Sequence, residues 1–299
     1  MSCPPPFHRP VMVAQCLEYL APREGGLYLD CTVGGGGHAE ALLVRAGAAA
    51  RLIGLDLDDQ ALLEAGVRLT PFGERVTLIA ANFARAGEVL ARLGVGAVDG
   101  LLADLGVSSW QFDQRERGFT FAPDVPLDMR MNQSGQLTAA EILNRWRLDE
   151  LQALFQRGEV PRSSRLAGAI VAQRRVAPFR TSTDLLRLLE GLGLANRRTF
   201  HPATLVFQAL RLATNREQEN LALLLSQLPA LLKPGGRCVF LSYHSLEDRP
   251  VKQALREREA DGSMHILTHR VVRPSEDEVR SNPRARSAKL RAAERPAAL

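Results

Sequence analysis

Lysine is scarce in this 299-residue chain, present only at Lys233, Lys252 and Lys289, so nearly all of its positive charge is arginine. Arginine suits phosphate, because its planar fork binds oxygens in pairs; a biased genome composition produces the same skew without any function. Cysteine is scarce too. Cys3, Cys16, Cys31 and Cys238 form no CxxC pair and no cluster with histidine at metal-ligand spacing, so buried or idle thiols are expected and no metal site is. No apolar run approaches the roughly 20 residues that a membrane span requires. The first ten residues lack the charged-then-apolar pattern of a secretory signal, and a cytoplasmic location is expected.

What remains is the composition of a globular protein, with 45% hydrophobic and 24% charged residues. The length suits one large domain with an insertion. A net charge of +5 and a pI near 9.4 are compatible with a polyanionic partner and equally with a solvated basic surface.

The first hundred residues alternate short apolar runs with helical patterns. Strands are expected at 27–30, 51–56, 76–80 and 97–104, with helices near 38–46, 61–69 and 84–93. This rhythm predicts a parallel sheet covered on both faces, an α/β fold. After Asp104 it stops. Residues 113–213 carry helical patterns separated by Gly, Pro and Arg, and read as an all-helical insertion. A helix over 218–232, a Lys233-Pro234-Gly235-Gly236 turn and a strand over 237–242 then resume the sheet. Strands at 266–272 and 288–293 are expected to close it. The predicted division is 1–112 with 214–299 as the cofactor domain, and 113–213 as the insertion.

Asp30-Cys31-Thr32-Val33-Gly34-Gly35-Gly36-Gly37-His38 lies where the first strand turns into a helix. Glycines there let the backbone approach a ligand, and the helix start offers unpaired N–H groups. Gly34, Gly36 and Ala39 reproduce the spacing of a dinucleotide fingerprint. Asp56 follows at the end of the second strand, where an acid accepts hydrogen bonds from ribose hydroxyls. Nicotinamide and S-adenosylmethionine sites share both features. Asp30 favours the sulfonium, since a pyrophosphate is poorly served by an acid in that position. Asn82-Phe83 offers an adenine contact and an apolar face, although Phe83 is equally readable as helix core.

Asp104 ends the fourth strand, where open α/β sheets place their chemistry. The lone pair of a cytosine amine is delocalised into its ring, and an acceptor beside its N–H bonds favours attack on a methyl group. A turn cap is the competing reading of Asp104. The Pro-Pro-aromatic sequence of many amino methyltransferases is absent. Trp110 is placed to stack on a splayed-out base or to pack in the core. His244, with Ser245 and Asp248 beside it, suggests a hydrolase trio, but near neighbours in one segment rarely converge in space. It reads better as facing a base pocket or capping a helix.

Taken in order, Gly36-Gly37-His38, Leu102 to Ser109 with Gln111, Arg117-Gly118-Phe119, Pro126 to Met131, His201 to Thr204, Phe207 to Arg211, Pro234 to Arg237, His244 to Arg249 and Asn282 to Arg291 resemble the RsmH (MraW) family. The resemblance covers nearly the whole chain. It implies a Rossmann-like class I S-adenosylmethionine-dependent methyltransferase sheet with a helical domain inserted after the fourth strand. It also implies methylation of cytidine N4 in the decoding region of small-subunit (16S) ribosomal RNA. By the same resemblance Gly36, Gly37, His38, Asp56, Phe83, Asp104 and Gln111 contact the cofactor; Asp30 joins them by position, and Asp104 and His244 are the candidate catalytic residues. Trp110 replaces the family's usual proline, Val125 a glycine, Leu205 a common arginine and Pro250 an aliphatic residue, which bears on RNA contact.

Candidate RNA contacts are Trp110, Arg130, Arg284, Arg286 and Arg291, the last three within a basic tail expected to line one face of a strand. The expected partner is ribosomal RNA or an assembled small subunit, and a homodimer is compatible with the sequence. The alternatives are a methyltransferase acting on DNA or another RNA, a nicotinamide-dependent oxidoreductase, and a non-catalytic RNA-binding module.

Overall fold

The computed structural model describes residues 10–107, 111–112, 114–135, 137–194 and 202–297. It falls into two compact units: the chain up to Gly106 together with Glu219 onward, and Val107–Gln218.

The first unit opens with α1 (Val13–Leu20) and then alternates β1 (Leu27–Asp30), α2 (Gly37–Ala46), β2 (Arg51–Asp56), α3 (Asp59–Leu69), β3 (Val76–Ala80), α4 (Ala86–Arg92) and β4 (Val98–Asp104). The helical unit carries α5 (Ala139–Arg145), α6 (Leu148–Arg157), α7 (Ser163–Val176), α8 (Ser182–Gly191) and α9 (Pro202–Thr214). The chain continues through α10 (Glu217–Leu231), β5 (Leu232–Ser242), α11 (Ser245–Ala260), β6 (His265–Ile266), α12 (Glu276–Ser281) and β7 (Lys289–Glu294).

The seven strands form one sheet in the order β3-β2-β1-β4-β5-β7-β6. β1 to β5 are parallel, and β7 runs antiparallel to both β5 and β6. This is the mixed, mostly parallel sheet that the resemblance implies. Winding reverses between β1 and β4, which opens a crevice at their carboxyl ends. The side chains of one strand alternate between two cores. Leu29, Leu101 and Phe240 pack with Leu224 and Leu228 on one face; Tyr28, Leu102 and Val239 pack with Leu42, Leu43 and Leu20 on the other. Covering on both faces explains why β4 is buried along nearly its whole length. Cys16, Cys31 and Cys238 are free, buried thiols within these layers.

The far end of β4 is pinned by charge. Asp99 accepts hydrogen bonds from the Leu27 amide (2.8 Å), from Lys233 Nζ (2.8 Å) and from Arg23. Burial alone would raise its carboxyl, but these donors outweigh it and hold it at about 2. A depressed carboxyl stabilises the fold at neutral pH and loses that contribution as pH falls through about 4 toward 2. Asp99→Asn is therefore expected to lower stability by about 1–3 kcal/mol at pH 7, with the difference from the native chain shrinking in acid. Urea melts at the two pH values test this; equal losses at both would refute it.

In the helical unit, helix starts follow local sequence. Thr138 and Glu141, and Thr181 and Asp184, form reciprocal capping boxes at α5 and α8. Its core is Phe155, Leu151, Ile142, Leu166, Phe179 and Leu210.

Two expectations of local structure are corrected. β5 begins at Leu232 rather than 237: Val98 pairs with Leu232 and Gly100 with Arg237, so Lys233 to Gly236 bulge out of a continuous strand. Gly235, at φ +74°, makes that bulge feasible and donates its amide to the Arg295 carbonyl (2.8 Å). The expected strand at 266–272 is reduced to His265–Ile266 and an isolated bridge from Val272 to Leu290. Between them the Thr268 hydroxyl, not a backbone carbonyl, accepts the Ala292 amide (2.9 Å). No helix among the described residues is long and apolar enough to cross a membrane.

Candidate active site

The glycine loop between β1 and α2 is held at both ends. Val33 N donates to the Leu55 carbonyl (2.9 Å), Gly34 N to Asp56 Oδ2 (2.9 Å) and Gly36 N to the Val33 carbonyl (2.8 Å). Asp56 Oδ1 accepts the Asp58 amide (2.9 Å). The loop and the end of β2 are thus one hydrogen-bonded piece. Gly36 sits at φ +79°, and a Cβ there would stand 3.3 Å from Ala65 Cα on α3. Glycine is required by both conformation and space.

Asp30, Asp56 and Asp104 end three neighbouring strands, β1, β2 and β4. Asp30 is 1% exposed; one oxygen accepts the Thr32 amide (3.1 Å) and the other is buried without a partner. Burial pushes Asp30 up to about 7, against opposing effects of His38 and the Thr32 N–H; Asp104 and Asp56 push it further. Burial likewise pushes Asp56 up to about 6, opposed by the Asp58 and Gly34 amides. Asp104 is raised by burial and by Glu247, with His38 and Tyr243 acting the other way. Burial raises all three carboxyls, and Asp104 and Asp56 raise Asp30 further, which marks a place where positive charge is missing.

Around Asp104 the contacts are specific. Its amide donates to Thr32 Oγ1 (2.7 Å), and Tyr243 donates its hydroxyl to Oδ1 (2.8 Å). His38 Nδ1 lies 3.7 Å from Oδ2, and His38 Nε2 is 2.8 Å from the Val11 carbonyl. Burial, with Asp104 adding to it, pushes the Tyr243 phenol well above its ordinary range, so it stays a donor. Tyr243 was not anticipated from sequence. Its position directly after β5, at the carboxyl edge of the sheet, is the signal that would have found it; His244 next to it drew attention instead. His244 starts α11 and pairs through Nε2 with Glu247 Oε1 (2.7 Å), whose other oxygen accepts the Tyr243 amide (2.9 Å).

The remaining expected site residues are placed as follows. Gly37 and His38 open α2. Phe83 begins a 3-10 turn after β3 and is half-buried against the core, while the Asn82 side-chain oxygen caps that turn by accepting the Ala84 amide (2.8 Å). Gln111 is buried in the helical unit. Trp110 lies outside the described residues.

The expected basic stripe is not one strand face. Arg284 and Arg286 are exposed but belong to a 3-10 turn, Pro283–Ser287. Arg291, on β7, turns its guanidinium onto Asp248 (2.6 and 3.2 Å). Arg130 grips Asp128 with two nitrogens (2.9 and 2.7 Å) and donates to the Gln133 and Gly135 carbonyls. Both arginines hold the fold together. Arg157, Arg162, Arg165, Arg175 and Arg180 of the helical unit are exposed instead.

The MraW methylase family matches residues 6–296. Relatives named ribosomal RNA small subunit methyltransferase H include that of Symbiobacterium thermophilum, 45% identical and covering 95% of both chains. Those of Thermotoga neapolitana (45% identical, 96% of each chain) and Geobacter sulfurreducens (46%, 96% of this chain and 98% of that one) are as similar. Among solved structures, an rRNA methylase from Streptococcus thermophilus aligns over 95% of this chain and 93% of its own, at 10% identity and a TM-score of 0.45.

Proposed function

The chain belongs to the MraW methylase family, and on that premise we propose that it transfers a methyl group from S-adenosylmethionine to the exocyclic N4 amine of a cytidine in the decoding region of 16S ribosomal RNA. The observation that carries this reading is the trio of carboxylates at the ends of β1, β2 and β4, each raised by burial, with Asp30 raised further by the other two. A cationic sulfonium with its ammonium offsets that charge. The pyrophosphate of a nicotinamide cofactor would add to it, which argues against the oxidoreductase alternative.

The residues fit the cofactor's chemistry. Asp30, with its unpartnered buried oxygen, would take the cationic methionine part. Asp56 would accept the ribose hydroxyls, Phe83 would offer an apolar face to adenine, and Gly36, Gly37 and His38 would close the loop over it. S-adenosylmethionine supplies, when bound, an electrophilic methyl group on a positively charged sulfur. Asp104 accepts the amine's N–H bond, which localises the nitrogen lone pair for attack. Thr32 and Tyr243 fix Asp104 for this task, and Glu247 ties His244 to the backbone of Tyr243.

The helical unit, bearing the exposed arginines Arg157, Arg162, Arg165, Arg175 and Arg180, is proposed to contact RNA phosphates. The substrate is proposed to be a preformed ribosomal particle in the cytoplasm, with its shape adding to specificity. Labelled S-adenosylmethionine offered with unmodified small subunits, their extracted RNA, and DNA tests the assignment. N4-methylcytidine from ribosomal RNA is expected, with the particle the best acceptor. Label confined to DNA or to another nucleoside would overturn the substrate and leave the fold.

A further inference from the structure

We infer that His38 and Asp104 form a one-proton site, and that this pair receives the proton which the target amine sheds on methylation. The second half rests on the amine-methylation reading above; the first half does not.

A backbone carbonyl can only accept, so the 2.8 Å contact between His38 Nε2 and the Val11 carbonyl requires the ring to carry a hydrogen on Nε2. A neutral ring then has its lone pair on Nδ1, and Nδ1 faces Asp104 Oδ2 at 3.7 Å. With Asp104 ionised, two acceptors confront each other. The separation is too long for a hydrogen bond. One added proton converts this repulsion into attraction, whether it rests on nitrogen or on oxygen. A second would have to enter a pair already satisfied. Among the described residues, Tyr243 occupies Oδ1 and leaves Oδ2 facing His38.

The surroundings favour uptake of one positive charge. Asp30 from β1 and Glu247 from α11 bear on the pair as acids, while Cys16 from α1 and Tyr243 are neutral. Both members are nearly enclosed, with side chains 8% and 16% exposed, so the proton is not simply shared with bulk water.

The reaction needs such an acceptor. As the N–C bond forms, the methyl–sulfur bond breaks and its electron pair goes to sulfur. The amine nitrogen, still holding both hydrogens, is left with one too many. One N–H bond gives its electrons back to nitrogen and its proton to Asp104 Oδ2, from which His38 Nδ1 can take a share. The active form of the enzyme is accordingly the proton-free pair. Asp104 is the catalytic residue of the two, and His38 acts through it as a positioning residue.

Nitrogen-15 NMR of the ligand-free full chain tests the pair itself, with His38 assigned by His38→Gln. In alkaline solution the ring should carry hydrogen on Nε2 and none on Nδ1. On acidification, the His38 nitrogens and the Asp104 carboxyl carbon should move together at one midpoint, and Asp104→Asn should displace the histidine midpoint. A neutral ring protonated on Nδ1, or two independent midpoints, would overturn the proposal, and this is read in the native protein even if a variant fails to fold. Single-turnover methyl transfer to small subunits tests the role. The rate should rise with pH through the NMR midpoint, and His38→Gln should lower it on the order of 10²-fold above that midpoint and abolish the coincidence. A rate within twofold of native, with an unchanged profile, would refute the proton-acceptor role. If native enzyme makes no N4-methylcytidine, the amine reading and the role fall together, while the NMR result still decides the one-proton site.

Discussion

Asp104→Ala is expected to reduce the single-turnover rate of methyl transfer by about 10²–10⁴-fold, without unfolding the protein. The carboxylate ends β4, is reached by hydrogen bonds from Tyr243 and faces His38. Its backbone amide, not its side chain, makes the bond to Thr32 that joins β4 to the glycine loop. Alanine therefore removes the acceptor and spares the strand pairing with β1 and β5. Removing a buried carboxyl raised by its surroundings costs the fold little and leaves the Tyr243 hydroxyl without its acceptor. Asp104→Asn keeps an oxygen for Tyr243 but cannot receive a proton. It should retain the melting temperature and recover only a small part of the rate. Rapid-quench measurement with small subunits, beside calorimetric melts, checks both. A rate within threefold of native for the alanine variant would remove Asp104 from the chemistry.

Asp30→Asn is expected to act in opposite directions on stability and on cofactor binding. Asp30 is pushed up to about 7 in the folded chain and is ordinary when unfolded. Between about pH 4 and 7 the folded protein thus holds a proton that the unfolded chain has released. The native state binds more protons there, so stability falls as pH rises and stays lowered above about 7. Asp56, raised to about 6, adds in the same direction. At the ceiling, the Asp30 contribution is on the order of 4 kcal/mol, reduced by whatever the asparagine amide leaves unpaired. The ligand-free variant should melt several degrees above native at pH 8 and show little difference at pH 4. Its affinity for S-adenosylmethionine should fall at least about tenfold, since the buried charge is what a cation would meet. Calorimetry and titration on the same preparations decide this. A variant that melts lower than native at pH 8, or binds the cofactor equally well, would show that Asp30 is a structural acid only.

Periodicity and punctuation alone marked β1 to β4, their helices and the helical character of the insertion. Each of those signals is local: a short apolar run, a 3.6-residue stripe, and the Gly, Pro and Arg that separate one helical pattern from the next. The same is true of the glycine loop with Asp30, and of Asp56 and Asp104 at strand ends. Strand ends are where a parallel sheet must put its ligands, so these three acids were legible as candidates before any coordinates.

Only tertiary structure decided the rest. The bulge of Lys233 to Gly236 arises from register with β4, and the short β6 from a threonine hydroxyl that replaces a backbone partner. Arg130 and Arg291 carry the same charge in sequence as any surface arginine, yet their acids, Asp128 and Asp248, consume them. Val11, His38, Asp104 and Tyr243 come from four separate segments, and no spacing rule links them. Sequence determined which groups stand at the sheet's carboxyl edge, because periodicity is a property of neighbours. Which of them share a proton depends on distances between segments far apart in the chain, and those exist only once the sheet has closed.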